Sequence, residues 1–336
     1  MFRMDNSNLF CCLKTGSSME EKTINVKDCY WQAIINPNAL SGKCTKLWQD
    51  IVLKLKESQI SYKEHIAGHA NAGKTIAKAL CLKGERHFII VGGDGTVNEV
   101  INGIATSGIN LSDTFIVPFP MGTGNDWTHT HQYPKNCHEL LVPFLKGTFR
   151  PHDIGLVKSI KEAEIVDCRY FINIAGFCFD AAVIDETTKG KTPIFTTATY
   201  IWNLIKVLFT YKSTRVSIKA VNINVDAPIF TIAVGIGKYN GNGMMQVPMG
   251  NPFDGLFDVV IIKKINPLKV IANIKNLFSG KHIRLKEVSV YQTHELEINA
   301  TPHVLGEVEG EMLTIGNYKI SMLPEWMNVL TIENEI

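Results

Sequence analysis

No Cys-x-x-Cys pair occurs among the eight cysteines of this 336-residue sequence, and no histidine stands near one at zinc-finger spacing. That excludes a zinc framework and a dithiol redox motif, and predicts a reduced, cytoplasmic chain with mostly buried thiols. Charge of one sign is also lacking: 34 basic against 32 acidic residues leave a formal net charge of +2. So even a balance excludes a nucleic-acid coat or an acidic tail. No nucleic-acid partner is expected, and attraction to anionic membrane has to come from local patches. Long apolar runs are missing as well. The longest stretch, 193–211, is interrupted by Asn203 and Lys206, and Ile194, Ala198, Ile201, Ile205 and Leu208 follow helical spacing. This predicts an amphipathic helix rather than a membrane span. Repeats and low-complexity tracts are absent. In residues 1–27 the apolar run 9–13 is too short for a signal-peptide core. This polar stretch is read as a flexible tail, with Met4 and Met19 as alternative starts, and is set aside.

What is present, 45% hydrophobic residues over this length, is enough for two cores. In the first half strand and helix signals alternate. Residues 30–35, 61–66, 87–91 and 114–119 read as strands; Leu47, Ile51 and Leu55, then Ala72, Ile76, Ala79 and Leu80, then Val97, Val100, Ile101 and Ile104 mark helices between them. Single helices between strands imply right-handed crossovers and a Rossmann-like parallel α/β domain, with ligands at the carboxyl ends of the strands. Past about Arg150 the period becomes two: Val216, Ile218 and Ala220; Val221, Ile223 and Val225; Leu296 and Ile298; Ile320 and Met322. Turn residues at 240–243, 254–255 and 316–317 separate such runs, so the second half reads as an antiparallel β-sandwich with helices inserted near 194–211 and 267–279. The expected division is a tail (1–27), an α/β domain (28–150), a β-sandwich domain (151–323) and a C-terminal segment (324–336) returning to the first domain.

Two Gly-rich loops carry the chemistry. Gly92-Gly93-Asp94-Gly95-Thr96-Val97-Asn98 follows one predicted strand, and Met121-Gly122-Thr123-Gly124-Asn125-Asp126 follows the next. Glycines let backbone approach a phosphate, and the helix that follows aims unpaired N–H groups at it. Asp94 is suited to hold metal-bound water or to help deprotonate an alcohol. A strand-to-helix turn capped by Asp94 and Thr96 is the plain alternative. Neither loop has the Gly-x-Gly-x-x-Gly or P-loop pattern. A third loop, Asn36-Pro37-Asn38-Ala39-Leu40-Ser41-Gly42-Lys43, follows the first strand and offers Lys43 to phosphate.

Taken in order, these three loops resemble the diacylglycerol kinase catalytic-domain family, which includes sphingosine, ceramide and bacterial-type lipid kinases. Further matches are Asp153, Asn173, Phe179-Asp180-Ala181, Phe253-Asp254-Gly255-Leu256-Phe257-Asp258 and Glu309-Gly310-Glu311, so the resemblance spans roughly residues 30–323. It implies an α/β domain and a β-sandwich with the active site in the cleft between them, Mg²⁺-ATP as donor and a lipid hydroxyl as acceptor. Residue by residue it gives Asn36, Gly92, Gly93, Asp94, Gly95, Thr96, Val97, Asn98, Gly122 and Thr123 to ATP. It gives a structural Mg²⁺ to Asp254 with the carbonyls of Asn251 and Leu256, although Asp-Gly is also an ordinary turn. It makes Glu311 the proton acceptor from the lipid alcohol, with Asp94 beside it in catalysis. Glu309 stands where the family has Asp, which reaches one methylene less.

Glu64 and His65 stand where a nucleotide-contacting Thr is usual, and neither is assigned; His69 reads as a helix-start residue. Seven Lys or Arg residues around Leu268, Ile271, Ile274 and Phe278 suggest a basic amphipathic helix able to lie on anionic membrane, or one simply solvated. The expected partners are a membrane lipid and the membrane surface; a homodimer is compatible with the sequence. A NAD kinase-like enzyme and a non-catalytic nucleotide- or lipid-binding relative are the competing readings. The first is disfavoured by the loop at 120–126, and the second is kept open by Glu309.

Overall fold

The computed structural model describes residues 20–189, 197–324 and 326–332. Strands β1 (Lys22–Thr23), β2 (Tyr30–Ile35), β3 (Ser61–Ile66), β4 (His87–Gly92), β5 (Phe115–Pro120) and β6 (Thr148–His152) belong to one sheet, which also takes in a late strand, Met327–Leu330. Pairing of β3 with β2, β2 with β4, β4 with β5, and β5 with the late strand is parallel; β6 joins the late strand antiparallel and β1 closes the edge antiparallel to β6. Each crossover is a helix: α1 (Cys44–Glu57), α2 (Ala72–Leu82) and α3 (Asp94–Ala105). The short helices α4 (Asp126–Thr130) and α5 (Leu141–Lys146) follow β5. Strand side chains alternate between two cores, as pleating requires. Trp31, Ala33, Ile35, Ile89 and Val91 pack on α1, while Ile34, Phe88, Ile90 and Ile116 pack on α2 and α3. Burial on both faces explains why these strands read as continuous apolar runs rather than alternating ones.

The second sheet is antiparallel throughout. It contains β7 (Gly155–Lys161), β8 (Glu164–Phe171), β9 (Ile174–Cys178), β10 (Thr214–Ala220), β11 (Ile223–Gly235), β12 (Phe257–Lys263), β13 (Val288–Thr293), β14 (Glu295–Ala300), β15 (Gly306–Val308), β16 (Glu311–Met312) and β17 (Asn317–Met322). Strand β11 pairs with β10 up to Ile229 and with β9 from Thr231, and its pairing with β12 shifts register between Ile229 and Thr231. That break folds the sheet over its own core of Phe171, Phe177, Ile232, Phe257 and Ile298. After β17 the chain returns as β18 (Met327–Leu330) to the first sheet.

Three expectations need correction. The helix predicted at 267–279 is broken at Asn273 into α8 (Pro267–Ala272) and α9 (Ile274–Phe278), because the Asn273 side chain bonds back to the Lys269 carbonyl and Asn276 bonds to Asn273. Before it come α6 (Phe179–Lys189), not anticipated, and α7 (Thr197–Thr210); the first residues of the stretch 193–211 lie outside the described residues. Val221 belongs to no strand, but to the exposed turn between β10 and β11. Among the described residues no helix is long and apolar enough to cross a membrane.

Candidate active site

Counted along the chain, the four parallel strands β2 to β5 run across the sheet in the order second, first, third, fourth, so the winding reverses between β2 and β4. A ligand crevice opens where neighbouring crossovers diverge to opposite faces. The loops of all three predicted motifs leave strands at this end. Asn36, just past β2, donates its amide to Thr96 Oγ1 on α3 at 3.0 Å and accepts from the Asn38 N–H. Asn36, Asn38, Ala67, His69, Ala70, Thr96 and Glu99 line a polar cavity of about 140 Å³. His69 lies ahead of α2 rather than in it, so it belongs to this cavity and not to a helix start. Glu99 also holds the cavity wall: its two oxygens accept the N–H groups of Asn71 and Gly73, capping α2. Glu99 ends the first Gly-rich motif, but its partners lie at the start of α2, so the sequence alone assigns it no role. Glu64 and His65 are occupied elsewhere, by Trp48 and Gln32.

The glycines divide into two kinds. A Cβ on Gly122 would stand 2.4 Å from Gly93 Cα, and one on Gly92 2.4 Å from Thr96 Oγ1. These residues are glycine because the two loops touch backbone to backbone and because Thr96 folds over the first. Gly95 is different: a Cβ there meets nothing within 4 Å, and the residue is exposed at the first turn of α3. The protein's own packing does not require a glycine here, whereas close approach by a phosphate to first-turn N–H groups would. Thr123 is exposed at the tip of the second loop, and Lys43 is exposed too. Val97 is buried in the core, and Asn98 is turned away from the cavity: its amide donates to Glu309 Oε2 at 2.7 Å.

A file of carboxylates ties this crevice to the second sheet. Asp94 accepts the N–H groups of Asp126 and Trp127, both at 3.1 Å, and so caps α4 from the neighbouring loop; burial raises its pKa and these bonds partly offset the rise. Asp126 in turn accepts from Asn242 and Gly243 in the second half, and burial with the Asp94 charge lifts it to about 6. Glu309 and Gly310 form the two-residue turn of the β15–β16 hairpin, both with positive φ (51° and 88°). Such a turn favours Asn or Asp before Gly, so glutamate is strained here. Its carboxylate is enclosed, although part of the residue reaches solvent. It accepts from the Ile172 and Asn173 N–H groups and from Asn98, and burial pushes it up to about 7. Glu307 is fully buried, and burial beside Asp180 raises it well above the ordinary range. Both approach within 2.4 Å of the point where a Gly176 Cβ would stand. Glu311, the predicted proton acceptor, has a 65% exposed side chain 4.0 Å from Arg169 Nη1.

Asp180, with Gln246 bonded to it, also lines a second cavity, of about 100 Å³ and otherwise mainly apolar. Phe179, Leu204, Phe230, Met244, Ile262 and Leu277 supply most of its wall, between the second sheet and α7, α8 and α9. At the sheet's end the predicted metal loop is held by Asp153, whose Oδ2 accepts the Asp254 and Gly255 N–H groups; burial lifts Asp153 to about 7. Asp254 accepts from Leu256 N–H and Asn251 Nδ2. Next to it neither oxygen of buried Asp258 completes a well-formed hydrogen bond, and burial lifts that acid to about 6. A buried carboxylate without a hydrogen-bond partner, Asp258, beside Asp254 offers oxygen donors of the kind a hard cation takes. Among the described residues no group of three or more His, Cys, Asp or Glu side chains is arranged to hold a metal by itself.

Two family models cover most of the chain: the diacylglycerol kinase catalytic domain over residues 31–157 and the YegS C-terminal NAD kinase beta sandwich-like domain over 174–331. A putative lipid kinase YtlR of Bacillus subtilis is 21% identical across 90% of this chain and 99% of its own length. A diacylglycerol kinase of the same organism is 26% identical across 83% and 88%, and a probable YegS-like lipid kinase of Pectobacterium atrosepticum 26% across 76% and 81%. In fold, a putative diacylglycerol kinase from Bacillus anthracis superposes with a TM-score of 0.71 at 20% identity, covering 90% of this chain and 97% of that one. Yeast NADH kinase superposes more loosely, with a TM-score of 0.54 at 10% identity, over 91% and 84%.

Proposed function

The chain belongs to the diacylglycerol kinase catalytic-domain family, and from that premise we propose that it is a lipid kinase moving the γ-phosphate of Mg²⁺-ATP onto a hydroxyl of a long-chain lipid at a membrane surface. The observation that carries this reading is a file of acids between two unlike cavities. A polar crevice lies at the switch point of the parallel sheet, an apolar cavity lies in the sandwich, and Asp94, Glu309, Glu307 and Asp180 lead from one half to the other. A kinase for lipids has to hold a charged donor and an apolar acceptor close together. In this reading Asn36, Thr96 and the first turn of α3 take the nucleotide, with Gly92, Gly93, Gly122 and Thr123 shaping the loops around it. The acyl or sphingoid tail fills the cavity under α7 and α8.

Chemically, the lipid oxygen attacks phosphorus, the P–O bond to ADP breaks, and the hydroxyl proton passes to a carboxylate. We assign that proton to Glu311, on the motif that carries it; its exposure leaves it open to an incoming hydroxyl. Glu309, fully engaged with backbone and Asn98, is a positioning residue, and Asp94 holds the two Gly-rich loops in register. Bound Mg²⁺ would neutralise phosphate charge that Asp94 and Asp126 otherwise repel, and Asp254 with the Asn251 and Leu256 carbonyls would hold a structural ion. The test is incubation with Mg²⁺-ATP and a total lipid extract, followed by mass spectrometry. New chloroform-extractable phospholipid is expected, and label appearing instead on NAD would replace this reading with a NAD kinase. Turnover that persists in Glu311→Gln would refute the base assignment.

A further inference from the structure

The second sheet does not close on itself through its backbone. Strands β16 and β8 stand at the two ends of its path, and each pairs with a single neighbour, β15 and β7. Side chains bridge the seam instead. Asp167 Oδ2 on β8 accepts the Thr314 N–H, just past β16, at 3.1 Å. Two residues on, and so on the same face of β8, Arg169 brings Nη1 to 4.0 Å from Glu311 Oε2. That separation is outside hydrogen-bond range. Among the described residues no protein acceptor takes any of the guanidinium N–H donors. Other arginines are served: Arg86 by two carbonyls, Arg150 by the Phe253 ring and Arg215 by Asp226. Arg169 is only 27% exposed, yet it has just this loose contact with an open carboxylate. Such a pair contributes little to stability, so bracing the hairpin does not account for it.

The surroundings are acidic. Asp94, Asp126, Glu307 and Glu309 accept from N–H and carboxamide groups, and none pairs with a Lys or Arg among the described residues. Arg169 stands where β8 runs onto α3. The next carbonyl, of Tyr170, accepts from Asn102, and the Ile172 and Asn173 N–H groups hold Glu309.

We propose that Arg169 is a further catalytic residue, whose guanidinium takes oxygens of the phosphoryl group as it arrives on the acceptor hydroxyl. This role rests on the lipid-kinase reading with Glu311 as proton acceptor. As the acceptor oxygen bonds to phosphorus and the bond to ADP breaks, the hydroxyl proton moves to Glu311. Glu311 thereby loses the negative charge that faced Arg169, and the guanidinium is released to the phosphoryl oxygens as they come within reach. Its planar fork matches two of those oxygens at once, which an ammonium does not. Because the acids of the crevice repel phosphate, a cation on the acceptor side acts most in the transition state, and little in binding nucleotide.

The full chain is assayed with labelled Mg²⁺-ATP and a dispersed total lipid extract, as wild type, Arg169→Ala and Arg169→Lys. Arg169→Ala should lower turnover on the order of 1000-fold. Its Kd for a non-hydrolysable ATP analogue should stay within about twofold of wild type, and its Tm within about 2 °C. Arg169→Lys keeps the charge without the fork and should fall between, about 10- to 100-fold down. Free guanidinium at about 50 mM, far below denaturing levels, should raise the rate of Arg169→Ala about tenfold or more, because it refills the vacated place. Turnover in Arg169→Ala within about threefold of wild type would overturn the proposal. So would a loss that free guanidinium leaves in place, which marks a brace rather than a phosphoryl ligand. A wild type that labels no lipid would remove the kinase reading and this role with it, whereas failure in the variants alone removes only the role of Arg169.

Discussion

Replacing Gly95 with alanine adds one methyl group where the protein itself leaves room. No protein atom lies within 4 Å of the new Cβ, and the backbone is not left-handed there. Alanine in the first turn of α3 also removes chain freedom from the unfolded state, so folding should gain about 0.5–1 kcal/mol. For a domain of this size that is a rise in Tm of about 2 °C. If the first-turn N–H groups hold the nucleotide's phosphates, the same methyl sits between donor and acceptor. Losing one hydrogen bond to a charged oxygen costs about 1.5–3 kcal/mol, which is roughly a 10- to 100-fold weaker Kd. Calorimetric titration with a non-hydrolysable ATP analogue and Mg²⁺, beside thermal unfolding of the same sample, reads both effects. The expected signature is opposite signs: a more stable protein that binds nucleotide poorly. Unchanged affinity in the stabilised variant would refute the phosphate cradle, because it would mean that the open space at Gly95 holds only water.

Gly122→Ala should behave in the contrary way. Its Cβ meets Gly93 Cα at 2.4 Å and Asn125 Oδ1 at 2.6 Å, so the loops must part by about 1 Å, with about 1–3 kcal/mol lost from stability and kcat/KM down on the order of 100-fold. Denaturant unfolding and initial rates measure the two. Glu311→Gln should lower kcat by about 100-fold or more with nucleotide Kd within about twofold of wild type, checked by turnover and titration. Asp153→Asn keeps its two N–H partners, because both land on one oxygen. The raised pKa of Asp153, about 7, means that its contribution to stability is present below about pH 4 and is lost as pH rises through about 7. The variant should therefore gain on the wild type over that window, by at most about 4 kcal/mol, as followed by Tm against pH.

The parallel half was legible because both faces of its sheet are covered. Strands such as β2 and β4 are apolar end to end, their crossover helices show one apolar stripe, and the loops between them are rich in Gly, Asn and Asp. The sandwich was legible only where alternation is clean, as in β10 and β14. Strand β9 was hidden because all five of its residues are buried, and α6 because its start is fused to that strand. A return of the C-terminal segment to the first domain is expected from the sequence, but its partners there, β5 and β6, lie far away in sequence and no local pattern names them. At the site, residue types were readable and their partners were not. Asn98 reads as a phosphate ligand from its place in the motif, yet its amide belongs to a glutamate more than two hundred residues later. Glu99 has no role legible in the sequence and His69 reads as a helix-start residue, and only the fold brings them to the crevice wall.

Acids join the two halves beside the apolar packing of Ile172 and Tyr170 on α3, and the departure at Glu309 lies among those acids. A hairpin turn with two positive φ angles is better served by Asp or Asn before Gly, and glutamate there costs on the order of 1 kcal/mol in backbone strain. The longer side chain spans from the sandwich hairpin to α3, reaching Asn98 while it also accepts the Ile172 and Asn173 N–H groups. Hydrogen bonds to a charged acceptor contribute about 1.5–3 kcal/mol each, enough to offset both the strain and part of the cost of enclosing the charge. The extra methylene thus acts as a longer tie between the halves. Because the same hairpin carries Glu311 two residues on, the tie also fixes where the proposed proton acceptor stands relative to the Gly-rich loops. A carboxylate that looks like a mismatch at the catalytic motif is, by this geometry, what holds the motif against α3.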